Sequence, residues 1–411
     1  MKHIGASLLT LALGAQPVIS QSRQSQSRQV TDEQVRQVHR SAILVDTHND
    51  VTSATVRGLD IGPRRTDGHT DLVRLREGGL GAVFFAAYVA SSYVEGNHSA
   101  NRALEMIDTI RHDIIGRYPN DFALALTADD IAAARKQGKI AALLGIEGGH
   151  AIQDSLRLLR SFHALGVRYM TLTHGNTNKW ADSSGDMNRP EVTHHNGLTE
   201  FGRQVVREMN RLGMMVDISH VADKTFWDVL QTTGAPVFAS HSSCRALSGI
   251  PRNMTDDMIR ALAKQGGVIQ INFGCEFLSQ KSADSSAWGN PKQFAALRER
   301  ANREAADPQA RRALLRKLME ENDLKVTPAT LADVVAHIDR VVEIAGIDAV
   351  GIGSDFDGVG CTPVGLEDVS KFPNLTRALL EKGYSAANIQ KIYGGNVLRV
   401  MREVERIARG R

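Results

Sequence analysis

Seven side chains able to bind a metal ion or carry a proton each stand at or just beyond a short apolar run: His48 and Asp50, Glu147, His174, His220, His241 and Asp355. Imidazole combined with carboxylate suits Zn²⁺ or a similar divalent ion, and this many donors exceed what one open tetrahedral site needs. Two ions are therefore the natural count. In such a site the ions sit about 3.5–4 Å apart, one carboxylate can bridge them, and a shared hydroxide attacks while both ions hold the reacting oxygens. Glu147 is the best bridge, because Gly145, Gly148 and Gly149 around it allow close backbone approach and positive φ. Polar residues also end strands simply as turn formers. Among these types only Asp is a strong turn former, and four of the seven are His.

The runs that must position these groups are Ile43 to Val45, Ala82 to Val89, Ile140 to Ile146, Tyr169 to Thr173, Met214 to Ile218, Pro236 to Ala239, Val268 to Phe273 and Ala349 to Gly353. They lack polar alternation, as strands buried on both faces do, and helix-patterned segments separate them, which implies parallel pairing. One such segment has Thr199 as its cap and Gly213 as its stop; another opens at Thr255 and closes at Gly266-Gly267. Eight strand–helix units predict an α/β fold, a (β/α)8 TIM barrel. In such barrels the C-terminal strand ends form the site face, so the seven side chains are expected to converge.

Composition sets the frame. The chain has 411 residues, 42% hydrophobic and 23% charged, with 36 glycines. This describes a globular protein with a large core and excludes disordered and collagen-like classes. A net charge of +3 gives no reason to expect a nucleic-acid partner. Residues 1–20 follow the charged, apolar, small-residue order of a secretory signal, 21–30 read as a polar linker, and 31–411 as one catalytic domain. Export to a periplasmic or secreted location is expected. The end of the chain carries no apolar tail, so no membrane anchor is expected in the mature protein. The three cysteines, Cys244, Cys275 and Cys361, form no disulfide framework, and Cys244 and Cys361 are expected as buried free thiols although one bridge is open to the chain.

The remaining histidines read as bland. His112 and His163 lie in helical segments, His194 and His195 in a polar loop, and His150, close behind Glu147, reads as a support, with a direct catalytic role as the less favoured alternative. His69-Thr70-Asp71 repeats the spacing of the first motif but precedes a helix at Leu72, so it reads as a cap. Neither the His-Glu-x-x-His helix nor the Gly-x-Ser-x-Gly elbow occurs.

The stretches VDTHND at 45–50, TDLVRLREGGLGAVFFAAYV at 70–89, GIEGGHAI at 145–152, VRYMTLTH at 167–174, MNRLGMMVDISH at 209–220, APVFASHSSCRAL at 235–247, PRNMTDDM at 251–258, GIGSDFDGV at 351–359 and GNVLRV at 395–400 resemble, in order, the zinc membrane dipeptidase (renal dipeptidase) family. The resemblance implies a zinc-dependent hydrolase of dipeptides, including those with a C-terminal D-residue, and a homodimer is frequent in that family. It implies that His48, Asp50 and Glu147 hold one zinc, and Glu147, His220 and His241 the other. His174 would stabilise the oxyanion, Arg252 would grip the substrate's carboxylate, and Asp355 would act as general acid and base.

Two departures bear on specificity. Gly274 replaces an aromatic that lines the pocket of the vertebrate enzymes, leaving pocket size open. A mixed-charge, helix-prone insertion at 276–325, with Trp288 and the run Arg311 to Leu315, follows the seventh strand; it reads as a solvated decoration, with a lid as the alternative. Two rival functions are a barrel amidohydrolase acting on lactams, lactones or N-acyl amino acids, and a non-catalytic binding barrel. Many barrels of the first kind begin with His-x-His and bridge with a modified lysine, whereas this chain has His48-x-Asp50 and Glu147. The second leaves His174 and Asp355 unexplained.

Overall fold

Strands with apolar side chains on both faces need cover on both sides, and a closed barrel ringed by helices provides it. In the computed structural model the residues described are Met1, 30–305, 308–322 and 324–410. The expected signal and linker, 1–20 and 21–30, lie outside them except for Met1 and Val30.

Nine strands are present among the described residues: β1 (Leu44–Asn49), β2 (Leu80–Tyr88), β3 (Phe122–Leu124), β4 (Ile140–Glu147), β5 (Val167–Thr171), β6 (Met215–Asp217), β7 (Phe238–Ser242), β8 (Val268–Ile271) and β9 (Val350–Ile352). All pairings are parallel, in the order β1-β2-β4-β5-β6-β7-β8-β9, while β3 pairs only with β4. The ring closes where Asp355 N donates to His48 O (3.0 Å) and Asp50 N to Phe356 O (2.9 Å). Each of the eight predicted runs overlaps one barrel strand, so the chain folds as a (β/α)8 barrel.

The helices start and stop as their residues dictate. Thr199 caps Glu200–Leu212 by accepting from Gly202 N, and Gly213 ends it at φ 77°. Thr255 caps Asp256–Lys264 in the same way through Met258 N. Asp71 accepts from Arg74 N at 2.8 Å and caps Leu72–Glu77, so the second His-x-Asp motif is structural. No helix among the described residues is long and apolar enough to cross a membrane.

The insertion forms helices Cys275–Leu278, Gln280–Asp284, Pro291–Glu304 and Pro308–Glu321. Leu297, Ala301, Leu318 and Leu324 give it a small core of its own, separate from that of the barrel. Its base is anchored twice. His337 spans the Cys244 N–H (2.9 Å) and Leu278 O (2.9 Å), and burial pushes its pKa down to about 4, which keeps the ring neutral. The second anchor corrects an expectation: Cys361 is no free thiol but is bonded to Cys275, while Cys244 is free and buried as expected. Cys275 lies 86 residues before Cys361, and only the barrel, by placing the loops after β8 and β9 side by side, brings their Cα atoms to 5.5 Å.

Candidate active site

The seven predicted side chains come together at the C-terminal ends of six strands. His48, Glu147 and His241 stand in the last residues of β1, β4 and β7, and Asp50 just after β1. His174, His220 and Asp355 each stand three residues past the end of β5, β6 and β9. His220 and Asp355 adopt left-handed backbone, φ 68° and 61°, a conformation that costs free energy in non-glycine residues and collects at functional sites. Ser184 stabilises the first of these, its N–H and hydroxyl both donating to His220 O.

Glu147 is the centre. Its Oε1 lies 3.0 Å from His220 Nε2, 3.2 Å from His241 Nε2 and 3.8 Å from His174 Nε2, and its Oε2 lies 3.5 Å from His48 Nε2. His48 Nε2 is also 3.1 Å from Asp50 Oδ2, and His220 Nε2 faces His241 Nε2 at 3.0 Å. Three trios of donor atoms are close enough to share an ion: His48, Glu147 and His241; Glu147, His174 and His220; His48, Asp50 and Asp355.

Hydrogen bonds on the far side of two of the rings fix their orientation. His48 Nδ1 meets Tyr169 Oη at 2.8 Å, and His241 Nδ1 meets Ser240 Oγ at 2.7 Å. Ser240 Oγ in turn donates to Asp217, which also accepts from Ser219 N and Thr171 Oγ1 and so ties β5, β6 and β7 together. Asp46 does the same for β1 and β9, accepting from Ser354 N and Ser354 Oγ; burial raises its pKa to about 6 despite these bonds. A Cβ on residue 145 would come within 2.0 Å of the Tyr169 ring, so Gly145 is needed for Tyr169 to reach His48. Tyr169→Phe should therefore keep the fold and weaken metal binding about 10- to 100-fold, measured by metal titration and matched by kcat/KM at limiting metal.

Burial, then the nearby Arg252 and His174 charges, hold His220 well below the usual histidine range; burial, His48 and Arg252 do the same for His241. Burial pushes the Glu147 carboxyl up, but the His48 and His174 rings and bonds from His220 and His241 outweigh it and hold the group well below its usual range. Neutral imidazoles and an ionised carboxylate are the states in which these groups bind metal. Since Nδ1 of His48 and of His241 is engaged elsewhere, their Nε2 atoms face Glu147; burial would lower the His48 pKa, but Tyr169, Glu147 and Asp50 outweigh it and hold the ring well above its usual range. Imidazole nitrogens and carboxylate oxygens gathered this closely are the donor types that divalent ions take, so the donor set fits such ions.

Asp355 differs. Burial, followed by the like charges of Asp50 and Glu147, raises its carboxyl well above the usual range although His48 opposes the shift, and Asn272 Nδ2 donates to its Oδ2 at 2.7 Å. Arg252 lies buried beside the site, donating to Ser242 Oγ and His241 O (both 2.7 Å) and stacked 5.5 Å from the Phe277 ring, with its Nε unpartnered.

These groups open into a cavity of about 610 Å³, lined by Asp50, Tyr88, Glu147, His174, His220 and Asp355 on the barrel side. Glu276, Phe277 and Arg316 line it from the insertion, which is therefore part of the site wall and not only a solvated decoration. Beside Gly274, where a Cβ would meet the Phe277 ring at 2.6 Å, an aromatic three residues on lines the cavity. The bland histidines stay outside the donor cluster. His112 pairs with Asp108 at the surface, His163 lies on helix Leu156–Ala164, His194 and His195 stay in their loop, and His150 bonds Val89 O at 3.0 Å.

Parallel barrel strands that gather imidazoles and carboxylates at their C-terminal ends define a (β/α)8 metallohydrolase. The family model for membrane dipeptidase, peptidase family M19, matches residues 32–411, so the chain belongs to that family and is a metallo-dipeptidase. An uncharacterized dipeptidase of Schizosaccharomyces pombe is 34% identical over 405 residues, 93% of this chain and 85% of that protein. Among solved structures, the probable dipeptidase PvdM of Pseudomonas aeruginosa superposes with TM-score 0.76 at 27% identity, covering 92% of this chain and 98% of that one. A metallo peptidase of Rhodobacter sphaeroides, liganded with a phosphinate mimic of the dipeptide L-Ala-D-Ala, gives TM-score 0.70 at 25% identity, covering 88% and 99%.

Proposed function

We propose that this dipeptidase is exported, depends on two zinc ions, and hydrolyses L,L- and L,D-dipeptides. The observation that carries the reading is the approach of four histidine Nε2 atoms to one carboxylate, Glu147, within 3.0–3.8 Å. His48, Asp50 and Glu147 would hold one ion, and Glu147, His220 and His241 the other. Bound there, the ions would supply a water of lowered pKa and polarise the scissile carbonyl.

The chain's own groups do the rest. Arg252 binds the substrate's carboxylate, for which its unpartnered buried Nε is an open donor. His174, at the cavity wall, donates to the carbonyl oxygen as it gains charge. Asp355 takes a proton from the attacking water and delivers it to the leaving amine, a role suited to a carboxyl whose pKa burial has raised. The phosphinate mimic bound by the Rhodobacter relative supports a D-residue at the C-terminal position. The Cys275–Cys361 bond supports export, since disulfides persist in oxidising compartments.

The test is metal analysis of purified protein with a panel of L,L- and L,D-dipeptides, N-acyl amino acids and β-lactams. Two zinc ions per chain and selective turnover of dipeptides are expected. Faster turnover of N-acyl amino acids or lactams would move the enzyme to the rival amidohydrolase class.

A further inference from the structure

Glu276 is a charged group of the cavity wall that the reaction above does not use. It stands on helix Cys275–Leu278, whose first residue is bonded to Cys361 and whose carbonyl at Glu276 accepts from Ser248 Oγ at 2.7 Å. Its backbone is therefore fixed. Its side chain is half-buried, lines the same cavity as Glu147 and His174, and forms no ion pair among the described residues. Arg57 and Arg316 line that cavity too, but Glu276 is ion-paired with neither; burial raises its pKa and only its own backbone N–H acts against this. A desolvated carboxylate without a counter-charge is costly, and a cation entering the cavity removes that cost.

We propose that Glu276 is a specificity residue that receives a positively charged nitrogen of the substrate. The inference rests on the dipeptidase reading and deepens it. Two nitrogens share this chemistry: the side-chain cation of a lysine or arginine residue, and the α-ammonium of any dipeptide. In both cases Glu276 contacts substrate and not the reacting atoms.

The experiment measures kcat/KM for Ala-Ala, Ala-Lys, Lys-Ala and N-acetyl-Ala-Ala with wild type, Glu276→Gln and Glu276→Asp, at matched zinc content and melting temperature. If the side chain is read, Glu276→Gln lowers the ratio of a lysine dipeptide to Ala-Ala at least tenfold, and Glu276→Asp recovers part of it. If the α-ammonium is read, KM rises at least tenfold for all three free dipeptides, and the preference over N-acetyl-Ala-Ala shrinks. KM values within twofold of wild type throughout overturn the proposal. A wild type that cleaves no dipeptide overturns the underlying reading instead, before any variant is compared.

Discussion

Glu147→Gln should lose both bound zinc and dipeptide turnover, with kcat/KM falling on the order of 10⁴-fold as several kcal/mol of metal-derived stabilisation disappear. The substitution keeps the shape of the side chain and removes its charge. That charge lies within 3.8 Å of Nε2 on His174, His220 and His241, and its second oxygen within 3.5 Å of His48 Nε2. If Glu147 bridges two ions as proposed, each half of the site would lose an anionic ligand at once. The neutral imidazoles would remain, and they bind a divalent ion more weakly than with a bridging carboxylate. The fold should survive, because the backbone of β4 keeps its pairings with β2 and β5. Metal content by mass spectrometry, circular dichroism and steady-state kinetics on one preparation decide the matter. A variant that keeps two zinc ions and activity within tenfold of wild type would remove Glu147 from the centre of the site. Chelation of the wild type should produce the same loss reversibly, with zinc restoring turnover.

That Glu147 is legible in the sequence reflects how barrels encode their sites. A strand buried on both faces is a continuous apolar run, so its end is visible, and a polar residue at that end faces the site. The eight runs were legible for this reason. Phe122–Leu124 was not, since three residues carry no period and the strand lies outside the ring. Asp46 and Asp217 also carry a legible signal. An acid inside an otherwise apolar strand must find bonds for its carboxylate, and these two find them in the residues that orient His48 and His241.

The insertion shows the opposite case. Its helices could be read from composition, but where they lie depends on Cys275 meeting Cys361 and His337 meeting Leu278. Neither contact has a local sequence signature. The placement of Glu276, Phe277 and Arg316 in the cavity wall is thus a property of the tertiary fold alone.

Asp355→Asn should separate catalysis from metal binding: zinc stays bound while kcat falls about 10²- to 10⁴-fold, the range for loss of a general acid and base. Asn can still accept the bond that Asn272 Nδ2 gives to Asp355 Oδ2, so the left-handed turn and the cavity wall should persist. What disappears is a carboxyl able to hold and release a proton. The raised pKa of Asp355 and the lowered pKa of Glu147 follow from their surroundings. Asp355 sits buried beside Asp50, so close that a Cβ on Gly358 would lie 2.2 Å from Asp355 Oδ1 and 2.4 Å from Asp50 Oδ2. Glu147 sits among imidazoles. Two carboxyls pushed apart in this way suit the proposed division of work, in which one would move the proton and the other would stay charged. The alternative is carried by the trio His48, Asp50 and Asp355, whose donor atoms are near enough to share an ion. If Asp355 is a ligand, Asp355→Asn will lose one zinc per chain and excess zinc will partly restore the rate. If it is the acid and base, the metal content is unchanged, excess zinc does nothing, and the deficit lies in kcat with KM little altered.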